Sequence, residues 1–257
     1  MNEQSSRSLY LDMVKACVLG LVYEDPPTMI FPGKRRAKNP GYFQRDLREM
    51  GEDWPSQAHS MIGVRRMDNL RDCAERVIAD GIPGDFIETG VWRGGAAIFM
   101  RAILKAHDIA DRSVWLADSF EGLPRPNVDR YPADRGLDLY RFKELAVSLE
   151  EVKANFARYG LLDDQVHFLR GWFRDTLPQA PIEGLSILRM DGDLYESTMD
   201  ALTSLYPKLS VGGYAIVDDF HIPACARAVA DYRARHGIAE AIRDIDGGGV
   251  YWRRERE

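Results

Sequence analysis

Residues 85–95 read Asp-Phe-Ile-Glu-Thr-Gly-Val-Trp-Arg-Gly-Gly, a pattern typical of the first turn of an α/β sheet. The apolar residues before Gly90 predict a buried strand, and the glycines after it predict a tight turn. A helical pattern follows over residues 95–105, and residues 114–118 form the next apolar run. A strand, a helix and a second strand in this order predict a βαβ unit with parallel strands.

The chain after this unit repeats the same alternation. Short apolar strands are predicted at residues 166–169, 185–190 and 214–217, with helices at about 148–160, 194–209 and 224–236. Residues 242–246 and 250–253 flank three glycines, which predicts a C-terminal hairpin and hence an antiparallel pair at the end of the sheet. The fold class is therefore α/β, with a mostly parallel sheet covered by helices on both faces.

The first 66 residues follow a different pattern. Apolar residues at helical spacing between positions 9 and 21 predict a short amphipathic helix. Residues 31–55 carry several prolines and glycines and predict an irregular, mobile connection, which is either a lid or an ordinary surface loop. The predicted division is an N-terminal helical or lid segment, residues 1–66, and a larger domain, residues 67–257.

Composition narrows the class of protein. With 257 residues and 45% hydrophobic content, the chain can bury a sizeable core. Its formal charge of −6 argues against a nucleic-acid partner. The three cysteines form no CxxC pair, and no apolar run is long enough to cross a bilayer. We expect a cytoplasmic protein that has no membrane partner.

The glycine turn and the strand after it suggest a nucleoside site. The glycines do not match the G-x-G-x-x-G spacing of dinucleotide-binding proteins. Glu88 precedes the turn and could attract a cationic group, and Asp118 ends the next strand, where a carboxylate can accept both hydroxyl protons of a ribose. S-adenosylmethionine is a cationic nucleoside of this kind. The alternative is a turn that is needed only for packing.

Two acidic groups follow the later strands, Asp191-Gly192-Asp193 and Asp218-Asp219. Carboxylates that meet at one edge of a sheet repel one another, so they share a proton or hold a cation, and oxygen ligands favour Mg²⁺. We predict Asp191, Asp218 and Asp219 as the ligands. Because adjacent strand residues point to opposite faces, the last two can both bind only if the chain has left strand geometry there. Each Asp taken alone could instead be a helix cap or turn residue.

Three other residues are candidates without a settled role. His221 could act as a base or orient a substrate, and His59 is equally ambiguous. Trp172, in Gly171-Trp172-Phe173, could line an adenine ring or belong to the core.

The chain resembles the macrocin O-methyltransferase family in a set of motifs that occur in the family's order. The resemblance runs from residue 9 to residue 253 and includes the stretch Ala58-His59-Ser60-Met61-Ile62-Gly63. The motifs that carry it are residues 88–95, Ala117-Asp118-Ser119-Phe120, Gly171-Trp172-Phe173, Arg189-Met190-Asp191-Gly192-Asp193 and Asp218-Asp219.

The resemblance implies a Rossmann-like class I methyltransferase with a seven-stranded sheet, an N-terminal helical lid, S-adenosylmethionine and Mg²⁺ as cofactors, a glycoside substrate and a homo-oligomer. It assigns the metal to Asp191, Asp218 and Asp219, and it makes Asp191 the catalytic base, with Asp193 as the second candidate. The predicted cofactor contacts are Met61, Glu88, Thr89, Gly90, Gly94, Asp118, Ser119, Gly171 and Trp172.

The predicted reaction is Mg²⁺-dependent transfer of a methyl group from S-adenosylmethionine to a sugar hydroxyl of a glycosylated natural product. A catechol or other phenolic diol is the alternative acceptor, because a metal-chelated pair of neighbouring hydroxyls serves both. A nicotinamide-dependent oxidoreductase is disfavoured by the missing dinucleotide motif. A non-catalytic nucleoside-binding protein remains a further alternative. The segments 31–40 and 125–140 and the pair Phe220-His221 look peculiar to this chain, and we expect acceptor contacts there.

Overall fold

The computed structural model describes residues 5–256 of the chain, so residues 1–4 and 257 of the two predicted segments lie outside it. Both α-helices and β-strands form throughout this range. The strands are β1 Pro27–Ile30, β2 Asp53–Pro55, β3 Asp85–Thr89, β4 Val114–Asp118, β5 Val166–Arg170, β6 Leu185–Met190, β7 Leu209–Val217, β8 Arg243–Asp244 and β9 Val250–Arg253. The helices are α1 Ser6–Val18, α2 Arg45–Met50, α3 Gly63–Ala79, α4 Gly95–Ala106, α5 Leu149–Arg158, α6 Phe173–Thr176, α7 Tyr195–Leu205 and α8 Pro223–His236.

A seven-stranded sheet, counted within residues 5–256, has the order β5-β4-β3-β6-β7-β9-β8. The first five strands in this order pair in parallel, and β9 pairs antiparallel with both β7 and β8. From β3 the chain winds outward to β4 and β5 and then returns to β6 on the other side. Ligands of open α/β sheets bind at such a reversal, beyond the carboxyl ends of the strands.

Apolar side chains cover both faces of the sheet, as its long apolar strands require. On one face α1, α3, α4 and α5 form a core that includes Leu11, Leu70 and Phe99. On the other face α7 and α8 form a second core around Leu202 and Trp252. The predicted α/β class, the mostly parallel sheet and the C-terminal hairpin are confirmed.

One helix of the larger domain ends earlier than the sequence predicts. The helix predicted over residues 194–209 ends at Leu205 and passes into a 3₁₀ turn, Tyr206–Lys208. Pro207 explains this change, because proline lacks the N–H that would continue the hydrogen bonds of the helix.

The prediction of an irregular connection holds for residues 35–44, which form neither helix nor strand, and is wrong for residues 45–55, which include α2 and β2. Strands β1 and β2 pair antiparallel, and α2 lies between them in the chain. Arg48 of α2 is fully buried and donates to both carboxylate oxygens of Asp53, at 2.7 and 2.8 Å. It also donates to the carbonyl oxygens of Leu19 and Asp25, both at 2.8 Å. These contacts give the segment a fixed structure that its sequence pattern does not reveal.

The N-terminal segment packs closely against the larger domain. Leu11, Val14 and Val18 of α1 belong to the same buried core as the residues of α4. Helix α3 runs through residue 66, where the sequence predicted the segment to end. Within residues 5–256, the helices are too short or too polar to cross a membrane.

Candidate active site

A cleft of about 310 Å³ opens beyond the carboxyl ends of β3, β4, β6 and β7. It lies where the winding of the sheet reverses, which is the expected place for a ligand. Most of the predicted site residues line it: Met61, Glu88, Gly90, Asp118, Ser119, Gly171, Trp172, Asp191, Asp193, Asp218 and Asp219.

Thr89 and Gly94 are the two predicted cofactor residues that do not line the cleft among the described residues. Thr89 is fully buried, and its hydroxyl has no hydrogen-bond partner in the part of the chain that the structure describes. A Cβ at Gly94 would face Val152 and Phe156 of α5. Strand alternation accounts for Thr89, because Glu88 already points to the cleft side.

The glycine turn, residues 90–95, is shaped by its neighbours. Gly90 has a φ of 86°, and a Cβ there would lie 1.6 Å from the carbonyl oxygen of Asp191, so only glycine fits between β3 and β6. Asp118 accepts hydrogen bonds from the backbone N–H of Val91 at 2.6 Å and of Phe120 at 2.8 Å. Burial raises the pKa of Asp118. This carboxylate therefore fixes the turn and the loop after β4 together at the edge of the cleft.

Arg189 is a site residue that the sequence reasoning missed. It is 1% exposed, and its guanidinium contacts Glu88 at 2.6 Å, Asp191 at 3.0 Å and Asp218 at 2.5 Å. Burial raises the pKa of Glu88 to about 8 even though Arg189 opposes the shift. Glu88 also accepts the N–H of Ala97 at 3.0 Å. Its position as the one charged residue of the buried strand β6 was the signal that could have revealed it.

Asp191, Asp218 and Asp219 come together as the sequence predicts. Each offers a carboxylate oxygen, and these oxygens lie within 4.8 Å of one another. Strand β7 ends at Val217, so Asp218 and Asp219 follow the strand and are free of its alternation. We call these three residues the aspartate cluster.

The electrostatics of the aspartate cluster favour a cation. Burial raises the pKa of Asp191 well above its usual range, and the charges of Asp218 and Asp219 add to the shift. Burial likewise raises the pKa of Asp219 to about 8, with Asp193 and Asp218 adding to the shift. A divalent ion would relieve this repulsion, and three carboxylate oxygens are the donors that a hard ion such as Mg²⁺ prefers.

Asp193 lies beside the cluster on the loop after β6. Its backbone has a φ of 58°, and its N–H donates to Asp219 at 3.0 Å. Burial raises the pKa of its carboxyl group to about 8, with a further contribution from Asp191. A carboxyl group with such a pKa can exchange a proton near neutral pH.

Arg66 is the second charged residue that the sequence reasoning missed. It extends from α3 and contacts Asp218 at 2.5 Å and Asp246 at 2.8 Å. Asp246 in turn accepts the N–H groups of Gly248 and Gly249, both at 2.9 Å. Arg66 thereby connects the aspartate cluster to the turn of the C-terminal hairpin, 180 residues away in sequence.

Both candidate histidines line the cleft. The Nδ1 atom of His59 lies 2.9 Å from the hydroxyl of Tyr159, and burial lowers the pKa of His59 to about 4, so its ring is neutral at pH 7. The backbone N–H of His221 donates to the carbonyl of Gly248 at 3.0 Å. These contacts fix the place of both residues and leave their chemical roles open.

Apolar residues from two distant segments form one wall of the cleft, which we call the apolar wall. The rings of Phe31 and Trp54 lie 5.2 Å apart, and those of Trp54 and Phe142 lie 5.4 Å apart, edge to face. Phe31 and Leu139 belong to two of the three places in which acceptor contacts were expected, and His221, from the third, also lines the cleft. The apolar wall consists of Phe31, Trp54, Leu139 and Leu145.

Comparison with known proteins gives concordant matches. The family model described as macrocin O-methyltransferase (TylF) matches residues 7–254. The chain is 54% identical over 253 residues to the Streptomyces olivaceus protein 8-demethyl-8-(2,3-dimethoxy-alpha-L-rhamnosyl)-tetracenomycin-C 4'-O-methyltransferase, covering 97% of this chain and 94% of that one. It is also 54% identical over 254 residues to demethyldecarbamoylnovobiocin O-methyltransferase of Streptomyces niveus, covering 98% and 95%.

A solved structure supports the same relationship. The O-methyltransferase NovP superposes with a TM-score of 0.91 at 53% identity, over 98% of this chain and 100% of that one. The fold and the relatives over nearly the full length therefore agree.

Proposed function

The chain belongs to the macrocin O-methyltransferase (TylF) family and is an O-methyltransferase, and from this premise we propose that it methylates a sugar hydroxyl of a glycosylated natural product. In this proposal S-adenosylmethionine is the methyl donor and Mg²⁺ is required. The observation that carries the proposal is the aspartate cluster, whose oxygens lie within 4.8 Å of one another in the same cleft as Glu88 and Asp118.

The residues around the glycine turn fit the donor. Asp118 lines the cleft at the end of β4, where a carboxylate can accept the hydroxyl protons of a ribose. Trp172 offers an aromatic face at the rim of the cleft. When bound, S-adenosylmethionine would supply the electrophilic methyl group. The proposed contacts from the chain are Met61, Glu88, Gly90, Asp118, Ser119, Gly171 and Trp172; Thr89 and Gly94 would act only through the shape of the turn.

The metal site is the aspartate cluster. Asp191, Asp218 and Asp219 would hold the ion, while Arg189 and Arg66 fix the orientation of Asp218. When bound, Mg²⁺ would supply positive charge that favours ionisation of a sugar hydroxyl and orients it. Two buried arginines among these carboxylates limit the charge repulsion without removing the preference for a cation.

Proton removal is assigned to a carboxylate of the same loop. Asp191 is the proposed base, because it belongs to the cluster and lines the cleft. Asp193 is the second candidate, with a pKa of about 8. The N-terminal segment is the proposed lid, since Phe31, Trp54 and Met61 line the cleft and can exclude water from the acceptor. The expected homo-oligomer and the cytoplasmic location remain predictions.

A phenolic diol is the second candidate acceptor, because aromatic side chains line the cleft. Phe31 and Trp54 belong to the apolar wall, and Trp172 and Phe173 line the cleft as well. Flat aromatic acceptors pack favourably against such rings. The glycoside remains the first proposal, because the two relatives at 54% identity carry names that specify sugar-bearing substrates or antibiotic precursors.

The test is a methylation assay with the metal removed and restored. Metal-free protein is incubated with S-adenosylmethionine and one acceptor at a time, and the products are analysed by mass spectrometry. The acceptors are demethyldecarbamoylnovobiocin, the rhamnosylated tetracenomycin precursor and 3,4-dihydroxybenzoate. We expect one added methyl group on a glycoside only when Mg²⁺ is present. Methylation that persists in EDTA would contradict the metal requirement, and methylation of the catechol alone would favour the second candidate.

A further inference from the structure

Two neighbouring residues of the glycine turn reach out of the turn to different segments of the chain. We propose that Trp92 and Arg93 are positioning residues that fasten the apolar wall to the glycine turn. The inference rests on the proposed function, in which the turn holds the methyl donor and the apolar wall contacts the acceptor. Neither residue belongs to the predicted cofactor or metal contacts.

Trp92 holds the segment around Leu145. Its indole Nε1–H donates to the carbonyl oxygen of Glu144 at 2.8 Å. The backbone of Trp92 has a φ of 47°, a conformation that a non-glycine residue adopts only at a cost in free energy. That conformation belongs to the turn itself, so the side chain leaves the turn in a fixed direction toward residues 139–146.

Arg93 holds the segment that follows Trp54. Its Nη1 atom donates to the carbonyl oxygens of Pro55 at 3.1 Å and of Ala58 at 3.0 Å. The N–H of Gly95 adds a third link to this segment by donating to the carbonyl of His59 at 2.9 Å. The N-terminal segment is therefore attached to the glycine turn through hydrogen bonds that end on its backbone.

The two side chains also contact each other. The Arg93 guanidinium lies 4.2 Å from the centre of the Trp92 ring, which is a cation–π contact. The main chain of Arg93 is fixed separately, because its carbonyl accepts the side-chain amide of the buried Asn155 at 3.0 Å. Helix α5 therefore holds the main chain of Arg93. The side chains of Trp92 and Arg93 hold the connections around residues 144 and 55–58.

The contacts form a closed circuit. Trp92 donates a hydrogen bond to Glu144, and the nearby Phe142 packs against Trp54. Trp54 precedes Pro55, whose carbonyl accepts a hydrogen bond from Arg93. A shift of the glycine turn therefore moves both halves of the apolar wall together. Methyl transfer requires donor and acceptor to be aligned to within a fraction of an ångström. A shift of the glycine turn on donor binding would therefore also position the apolar wall against the acceptor.

The test measures whether donor binding reaches the apolar wall through the pair. Hydrogen–deuterium exchange is followed with and without S-adenosylhomocysteine in the wild-type chain and in Trp92→Phe, Arg93→Met, Arg93→Lys and the double variant Trp92→Phe/Arg93→Met. Arg170→Met is the matched control, because Arg170 is exposed, pairs with Glu121 and does not line the cleft among the described residues. Thermal unfolding and calorimetric titration of S-adenosylhomocysteine accompany each variant.

In the wild type, S-adenosylhomocysteine should slow exchange in both residues 54–60 and residues 139–146. Trp92→Phe should weaken the effect mainly at 139–146 and Arg93→Met mainly at 54–60, because the contact between Trp54 and Phe142 still joins the two segments. The double variant should lose the effect in both segments, while Arg93→Lys and Arg170→Met retain it. The affinity for S-adenosylhomocysteine should change less than about threefold in each variant, whereas the acceptor KM should rise about tenfold in Trp92→Phe and in Arg93→Met, which corresponds to about 1.4 kcal/mol.

Two outcomes would overturn the inference in different ways. Protection of both segments in the double variant, at wild-type extent, would show that Trp92 and Arg93 do not connect them and would leave the proposed function intact. Failure of S-adenosylhomocysteine to bind the wild-type chain would overturn the proposed function, and the inference with it.

Discussion

Asp191 divides its contacts between Arg189 and the other two members of the aspartate cluster. Several charged groups lie close to it. Arg189 contacts the carboxylates of Glu88, Asp191 and Asp218, and Arg66 contacts the other carboxylate oxygen of Asp218. Removing one acceptor from this arrangement changes both the charge of the cluster and its hydrogen bonding. The consequences of single substitutions should therefore be large for turnover and small for donor binding.

The substitution Asp191→Asn should lower kcat at least about 100-fold, because it removes both a metal ligand and the proposed base while keeping the shape of the side chain. Binding of S-adenosylhomocysteine, measured by calorimetry, should stay close to that of the wild type. Asp200→Asn is the control, because Asp200 lines the cleft outside the cluster. Turnover near the wild-type rate in Asp191→Asn would remove Asp191 from the mechanism.

The sequence locates the aspartates because each group directly follows a predicted strand, and the ends of parallel strands meet at one edge. It does not locate Arg66 and Arg189. Arg66 lies on an amphipathic helix where arginines are ordinarily solvated, and its contact with Asp246 joins positions 180 residues apart. Such a contact depends on the packing of the hairpin and has no local signal.

At the scale of elements, α7 depends on a residue from a distant loop. Its N-cap residue, Leu194, has no polar side chain. Asp134 is fully buried and accepts the N–H of Tyr195 at 2.6 Å and of Glu196 at 3.2 Å. A carboxylate at this position satisfies two free helix donors and interacts favourably with the helix dipole. It also fixes the loop around residue 134 beside Asp193.

The substitution Asp134→Ala should lower the free energy of unfolding by about 2 kcal/mol, because two buried N–H groups lose their acceptor. Urea unfolding measures this change, and Asp134→Asn should recover part of it. Asp129→Ala, at an exposed position of the same loop, should have almost no effect. Equal stability of the two alanine variants would show that Asp134 does not cap α7.

Most strands of the larger domain and helix α1 follow from sequence patterns, whereas α2, α3, β1 and β2 were not predicted. Strands β4 and β6 are mostly apolar, so their bounds could be predicted closely. Helix α2 and its two flanking strands are short, and they are organised by the buried side chain of Arg48. Short elements held by one charged residue carry almost no periodic signal.

At the scale of the whole molecule, His59 connects three parts of the chain. It lies in the N-terminal segment, its ring contacts Tyr159 after α5, and its carbonyl accepts the N–H of Gly95 in α4. Burial lowers the pKa of His59 to about 4, with Arg158 and Arg93 adding to the shift. The unfolded chain keeps a histidine pKa near 6.5, so it binds more protons than the folded chain between these two values.

The contribution of the neutral His59 ring to the free energy of unfolding is therefore fully present above about pH 6.5 and is lost as the pH falls toward 4. Between pH 7 and pH 5, the wild type should lose about 2 kcal/mol more free energy of unfolding than His59→Gln. Gln keeps a polar partner for Tyr159 and cannot take up a proton. The measurement is urea unfolding of both proteins at both pH values, and parallel losses would contradict the account of His59.

Titration of the metal-free protein with Mn²⁺ measures whether the aspartate cluster binds a divalent cation. Electron paramagnetic resonance of the free ion gives the number of sites and their affinity without any acceptor. We predict that the wild type binds one Mn²⁺ per chain and that Mg²⁺ displaces it. The Mn²⁺ affinity should be at least about tenfold lower in Asp219→Asn and unchanged in Asp200→Asn. No binding to the wild type, or binding that survives the combined loss of Asp218 and Asp219, would contradict the account.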